Sequence, residues 1–417
     1  MKILALSLAD DRRRFERGFP PKGARLLLNP DLEIAQLFSL AGTDELTYQD
    51  EKAEVIDLKV PTDLILISAD FWQESRIREV VFQASDRGKP VVIFGPVAST
   101  RGHELAGIPA TTVRGSILSV WSELRADAAA GRLKKTYQAA PEPSYAPFDL
   151  EAVAKPAFDP GFQSLRAIVG CRCPPRLKPF CRQHLYHGDR LLKRDLKELT
   201  TEVLRLRRKH VYLLDEDVAL DPDFYQEFFS RVWRLKREWT VLAGERIFDN
   251  PRYVRLLAKA GVRVVSLNES WLDLARLNRI LARRSFARQM RNQIRLLHRQ
   301  RLLVGCRISL FLEPGQKIDY GVSYRAIEPL SVDFLQVRFF AREEPDAPFS
   351  PLFVPYQPGL TQDRPTWWKS CFYGLGAIAR RSLRRPIRVG FYSTFRYYYP
   401  RSFAYRQNLL EGIGYPP

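Results

Sequence analysis

Short, wholly apolar runs recur along this chain, each followed by an amphipathic stretch, and that alternation constrains its fold more than any other feature. Residues 2–8 (KILALSL), 63–69 (DLILISA) and 90–95 (PVVIFG) have the length and character of buried strands. An amphipathic stretch at 76–84 and a DRGKP turn at 86–90 lead from the second run to the third, and 116–130 reads as a further helix. Strand, helix and strand in this order imply a parallel sheet, here the doubly wound, Rossmann-like arrangement of an α/β protein. Such sheets take ligands at the carboxyl ends of their strands, where Ser68 and Gly95 stand. That edge either holds a ligand or belongs to a domain kept for packing alone.

Residues 138–160, rich in Pro and Ala and without regular pattern, read as a linker between a first domain at 1–137 and a second at 161–345. In the second, strands at 165–169, 210–214, 239–243, 263–267, 302–312 and 332–339 alternate with helices at 194–208, 222–236 and 251–260 and a long helical stretch to about 301. Repeated βα units predict a complete or partial (β/α) barrel. Barrel chemistry sits at the carboxyl ends of the strands, and Asp215, Asp217, Arg246, Glu269 and Glu313 all follow predicted strands. The same residues suit helix caps and loop acids, which βα loops carry in any case.

Three of the five cysteines, Cys171, Cys173 and Cys181, fall within eleven residues, directly after the first strand of the barrel. Random scatter rarely places three thiols so close. A metal site in which His184 or His187 joins Cys181 fits no common zinc spacing. Cys306 and Cys371 are isolated in apolar and aromatic surroundings and read as packing residues.

Taken together, the motifs resemble the cobalamin-binding class of radical S-adenosylmethionine (SAM) proteins over nearly the whole chain. The resemblance rests on Asp63-Leu64-Ile65-Leu66-Ile67-Ser68, Pro90-Val91-Val92-Ile93-Phe94-Gly95-Pro96 and Arg114-Gly115-Ser116 in the first half. In the second half it rests on Gly170-Cys171-Arg172-Cys173-Pro174 through Phe180-Cys181, Leu213-Leu214-Asp215-Glu216-Asp217, Gly244-Glu245-Arg246 and Asn268-Glu269-Ser270. It implies a B12-binding-type sheet followed by a radical SAM-type partial barrel, a [4Fe–4S] cluster on Cys171, Cys173 and Cys181, and SAM seated by Glu269 and Arg246. Cobalamin would lie at the edge marked by Ser68 and Gly95.

The chain departs from that family in two places. The family spaces its ligands Cys-x3-Cys-x2-Cys, whereas here the spacing is Cys-x1-Cys-x7-Cys, with Lys178 at the position of the middle cysteine. Either Cys171 supplies the missing thiolate, or the cluster is lost and Arg176 and Lys178 mark a pseudoenzyme. The Asp-x-His-x-x-Gly motif that supplies a lower axial histidine in many B12 proteins is also absent, His103 being the only histidine before residue 184.

Charge separates the two halves. The 417 residues carry 66 Lys+Arg against 47 Asp+Glu, a net charge of +19, yet residues 1–150 hold 19 basic and 21 acidic side chains. The remainder therefore faces something acidic: phosphates, an anionic membrane surface or a carboxylated substrate. From Arg276 to Arg301 there are nine arginines and no acid, at helical spacing, and a basic, aromatic extension at 346–417 adds eight more between Arg380 and Arg406. Arginine beside aromatic rings suits a membrane interface or a large conjugated carboxylate. Nucleic acid is disfavoured because no recognised module accompanies it. Solvated outer helices and a packed C-terminal strap are the plain alternatives. No secretory signal opens the chain and no apolar stretch approaches the ~18 residues of a membrane span, so the expectation is a cytoplasmic protein, soluble or peripheral to a membrane.

Two functions follow. One is an enzyme that methylates or rearranges an unactivated carbon of a lipid-like or tetrapyrrole-like small molecule. The other is a cluster-less relative that serves as a binding subunit for a partner enzyme or a membrane.

Overall fold

The computed structural model describes residues 1–8, 31–51, 54–70, 73–100, 102, 105, 107–153, 163–172, 178, 181–312, 330, 332, 334–342 and 353–356, with backbone alone for strands beyond Ile308. His103, Cys173, Arg176, Glu313, Cys371 and the basic segment 380–406 lie outside the described residues. Two compact units divide the chain, Met1–Arg194 and Asp195–Pro417.

In the first unit, β1 (Lys2–Ser7), α1 (Leu32–Ser39), β2 (Glu45–Asp50), β3 (Leu64–Ser68), α2 (Glu74–Ser85), β4 (Val91–Phe94), α3 (Pro96–Thr100), β5 (Thr111–Arg114), α4 (Ile117–Ala129) and β6 (Thr136–Gln138) follow in order. The six strands form one parallel sheet in the order β2-β1-β3-β4-β5-β6, with its topological switch between β1 and β3. β3 and β4 are buried along their whole length, which is why they read as unbroken apolar runs. α2 turns Ile77, Val80, Val81 and Ala84 onto that sheet and leaves Phe82 and Gln83 exposed.

The segment expected to be a linker packs along this unit as far as it is described. Gln36 Nε2 donates to the Ala146 carbonyl (2.7 Å), Asp149 N donates to the Ala35 carbonyl (3.0 Å), and Ala146, Leu150 and Val153 are buried. Next come β7 (Gln163–Leu165), β8 (Ile168–Val169), α5 (Arg182–His187) and β9 (Leu192–Lys193), with β8 and β9 paired antiparallel. By compactness the described cysteine segment falls within Met1–Arg194. The physical reason is polar: Arg182 and Tyr186 of α5 reach acidic side chains of α1 and the β3 loop.

The second unit holds α6 (Leu196–Arg205), β10 (His210–Leu213), α7 (Pro222–Val232), β11 (Glu238–Ala243), α8 (Pro251–Lys259), β12 (Val262–Leu267), α9 (Leu274–Ala282), α10 (Arg284–Arg299), β13 (Leu303–Leu312), β14 (Phe334–Arg342) and β15 (Phe353–Tyr356). Strands β10 to β14 are parallel neighbours in chain order and β15 closes antiparallel to β14, as in a partial (β/α) barrel. Trp239 of β11 meets Phe228 and Phe229 of α7 edge-on, with centroids 5.6 Å away in each case. Such pairs each add roughly 0.5–1.5 kcal/mol beyond the area they bury. Helix starts follow a common chemistry: Asp195, Asp221, Asn250 and Asp273 accept backbone N–H bonds at their N-caps, and prolines open α7 and α8.

Candidate functional site

The loops after β10, β11 and β12 bring polar groups to one edge of the second unit. β13 rises past that level: Cys306 pairs with Leu267, the last residue of β12, so Arg307 stands beside the loop ends. Its Nη2 donates to Glu216 Oε2 (2.8 Å) and its Nε to Glu269 Oε2 (3.2 Å). Burial alone would lower the pKa of this guanidinium, but Glu269 and Glu216 outweigh it and keep Arg307 protonated. Asn268 Nδ2 holds the Glu216 carbonyl (2.9 Å), and Ser270 Oγ donates to Asn268 Oδ1 (2.7 Å). Asp215 accepts from the Tyr225 hydroxyl (2.7 Å), and Asp217 accepts from Ala219 N (2.8 Å). Burial raises the pKa of the Asp217 carboxyl against the pull of the Gly244 and Ala219 N–H groups. Gly244 is required here, since a Cβ would lie 2.4 Å from both Asp217 Oδ2 and Ser270 Oγ.

One guanidinium facing two carboxylates, with Asp215 and Asp217 alongside, leaves this edge negative. A bound ammonium or sulfonium is the natural complement, and the exposed Arg246, on the 3-10 turn after β11, offers a carboxylate partner near Asp217. That donor set fits the zwitterionic head of SAM. Glu269, expected from the sequence, is oriented by Arg307 through its Oε2. Arg307 itself was missed, although a charge inside the apolar run LVGCRIS was its signal.

In the first unit, Cys171 Sγ and Cys181 Sγ lie 3.2 Å apart, although ten residues separate them. Cys171 is buried and Cys181 half-buried at the N-cap of α5. Gly170 makes the turn into the loop at φ +96°, where a Cβ would lie 2.1 Å from the Arg190 carbonyl oxygen, and its N–H is held by Gln183 (2.9 Å). Lys178, at the family's middle-cysteine position, turns to Asp189 (2.7 and 2.8 Å). Convergent soft thiols fit an iron–sulfur cluster in donor chemistry. The histidine alternative is not assembled. Burial lowers His187 to a pKa of about 4, His184 Nδ1 faces Asp189 at 3.6 Å, and no group of three His, Cys, Asp or Glu able to hold a metal ion occurs among the described residues.

The residue after Cys181 leads to a charged cluster at the switch point of the parallel sheet. Arg182 lies 3.1 Å from Glu33 Oε2, 3.4 Å from Asp70 Oδ2 and 3.7 Å from Asp31 Oδ2, and the Tyr186 hydroxyl donates to Glu33 (2.9 Å). Glu33 is buried with Oε1 unpartnered, and burial lifts its pKa to about 7 despite Arg182. Asp31 caps α1 and accepts from Ser68 Oγ (2.6 Å), so the predicted residue Ser68 is tied to α1. Gly95 ends β4 at φ +107°, where a Cβ would lie 2.5 Å from the Ala69 carbonyl oxygen. Gly115 ends β5 at φ +93°, and Ser116 makes no side-chain cap, so the first-turn N–H groups of α4 are not filled by it. Side-chain-free strand ends beside an uncapped helix start fit a phosphate-bearing nucleotide tail.

These features define a class: a doubly wound parallel sheet, a thiol loop, and a β/α unit whose strand ends present acids around an arginine. In fold, the chain is similar to solved structures of cobalamin-dependent radical SAM enzymes. A radical SAM methyltransferase, TsrM from Kitasatospora setae, solved with cobalamin and a [4Fe–4S] cluster bound, superposes with a TM-score of 0.54 at 14% identity over 84% of this chain and 73% of that one. The cobalamin-dependent enzyme OxsB, solved with aqua-cobalamin bound, gives 0.52 at 12% identity over 78% of this chain and 52% of that one. In sequence, the chain is 23% identical over 215 residues to bacteriochlorophyllide d C-12(1)-methyltransferase of Chlorobaculum tepidum, covering 49% of this chain and 47% of the relative. It is 24% identical over 233 residues to the C-8(2)-methyltransferase of that organism. The matches span about half the length of these curated relatives. No family model matches the chain.

Proposed function

We propose that this protein is a cobalamin-type radical SAM methyltransferase that acts on an unactivated carbon of a small, apolar, carboxylated molecule of tetrapyrrole type. The carrying observation is that the fold brings Cys171 and Cys181, ten residues apart, to one place on a loop that also holds Cys173 in sequence. In this reading Cys171, Cys173 and Cys181 hold the cluster, and the strand ends of β3 to β5, with Ser68, Gly95 and the start of α4, hold the corrinoid's nucleotide tail. These groups supply one-electron chemistry able to reach an unactivated carbon. The chain's own side chains bind and orient. Glu216, Asp217 and Glu269 accept the ammonium of SAM, Arg246 takes its carboxylate, and Arg307 fixes the rotamers of Glu216 and Glu269 through two hydrogen bonds. The tetrapyrrole class is supported by the two curated relatives, and the basic surface of the second unit suits its carboxylates.

Anaerobic reconstitution with iron and sulfide tests the reading. About four irons per chain with cluster absorption are expected, falling sharply in Cys181→Ala. Fewer than about one iron per chain in the native protein, unchanged by that substitution, would establish the cluster-less binding subunit instead.

A further inference from the structure

The long basic stretch is not one helix. Arg283, extended at φ −134° and ψ 105°, breaks it into α9 and α10, which pack together with Arg279 over the Phe286 ring (4.2 Å). α10 turns Ala287, Met290, Ile294 and Leu297 inward, so its apolar face is already used. At 100° per residue, Arg284, Arg288, Arg291, Arg295 and Arg299 fall within about 100° of one another on a separate stripe. Of these, Arg284, Arg288, Arg295 and Arg299 are exposed, and none of the four has a carboxylate partner among the described residues. On α9, Leu274 and Leu281 stand two turns apart on one stripe and remain 40% and 45% exposed.

An unneutralised arginine stripe on α10, together with two exposed leucines on the adjoining α9, is complementary to an interface of negative headgroups over hydrocarbon. We infer that α9 and α10 form a docking face for an anionic lipid surface. The inward apolar face of α10 excludes deep insertion of that helix. The contact is electrostatic adsorption, with Leu274 and Leu281 entering only the headgroup boundary. No helix among the described residues is long and apolar enough to cross a membrane, so adsorption is the mode this face allows. A nucleic acid would make no use of the exposed leucines. The surface stands independently of the proposed chemistry.

The test is flotation of the full-length protein with vesicles of phosphatidylcholine alone or of phosphatidylcholine with phosphatidylglycerol. Binding is expected only with phosphatidylglycerol and is expected to vanish near 1 M salt, where the screening length falls to ~3 Å. Neutralising four arginines in R284Q/R288Q/R295Q/R299Q should weaken partitioning by nearly a thousandfold, since each basic group near such a surface contributes about 1 kcal/mol. Circular dichroism and the melting profile establish that the variant is folded, and L274S/L281S should give a smaller loss that persists at low salt. Equal flotation with neutral vesicles, or undiminished binding by the folded quadruple variant, would overturn the assignment. So would single-stranded polynucleotide displacing the vesicles while losing affinity in parallel across the same variants, because the stripe would then belong to nucleic acid.

Discussion

Around Glu33, three carboxylates share one guanidinium, and Glu33 is the member that burial forces toward neutrality. Its Oε2 accepts from both Arg182 and Tyr186, while Oε1 has no partner. The linkage follows from the raised pKa. The folded carboxyl holds its proton up to about pH 7, whereas in the unfolded chain it ionises near its ordinary value of 4.5. Between those values the folded state binds more protons, so stability is lost as pH rises through the window and the penalty is complete above it. Glu33→Gln keeps an acceptor for Arg182 and Tyr186 and removes the ionisation. The melting temperature of this variant should gain on the native protein as pH goes from 5 to 8. A difference that stays constant across that range would show that Glu33 is not the titrating group. Neither Glu33 nor Arg307 stands out by residue type, because a buried charge is recognised by what surrounds it, and here those neighbours come from residues as distant in sequence as Arg182 and Glu216.

Elements were legible where their chemistry was local. β1, β3 and β4 are buried on both faces and so announce themselves as apolar runs, and the Asn-Pro and Asp-Pro steps mark the starts of α8 and α7. β2 (ELTYQD) escaped notice because it is an edge strand with half its residues at the surface, and β6 is only three residues long. The break at Arg283 was also hidden, since Ala-Arg-Arg carries no helix-stopping signal. α8 shows what a legible cap is worth. Asn250 Oδ1 accepts from Arg252 N and Tyr253 N (3.1 Å each), and the hydroxyl of Tyr253 then donates to the Val218 carbonyl beside Asp217 (2.8 Å). Asn250→Ala should cost about 1 kcal/mol in chemical denaturation, and Asn250→Gly only a few tenths. Equal losses for the two would assign the effect to something other than the cap. The resemblance to cobalamin-type radical SAM proteins was carried by the order of such elements, whereas the roles of Ser68, Gly95, Arg246 and Glu269 depend on neighbours that order alone does not specify.

At the scale of the whole molecule, the charge and the cysteines belong to different units. Residues 1–194 carry 28 basic and 24 acidic side chains, and residues 195–417 carry 38 and 23, so the second unit holds most of the excess. The thiol loop lies in the nearly neutral first unit, and α5 ties it to α1 and the β3 loop through Arg182 and Tyr186. A cluster held by that loop stabilises what the loop is bonded to, because ligand binding to the folded state lowers local opening. Chelation of iron from the reconstituted protein should therefore speed hydrogen exchange in peptides spanning 165–194 and in those spanning α1 and the end of β3. Peptides from β11, α8 and β12 should change little. The route through the charged cluster makes a second demand: in Arg182→Gln, iron removal should still expose 165–194 but should no longer alter α1. Uniform deprotection across both units would contradict this account, and so would coupling to α1 that survives the loss of Arg182.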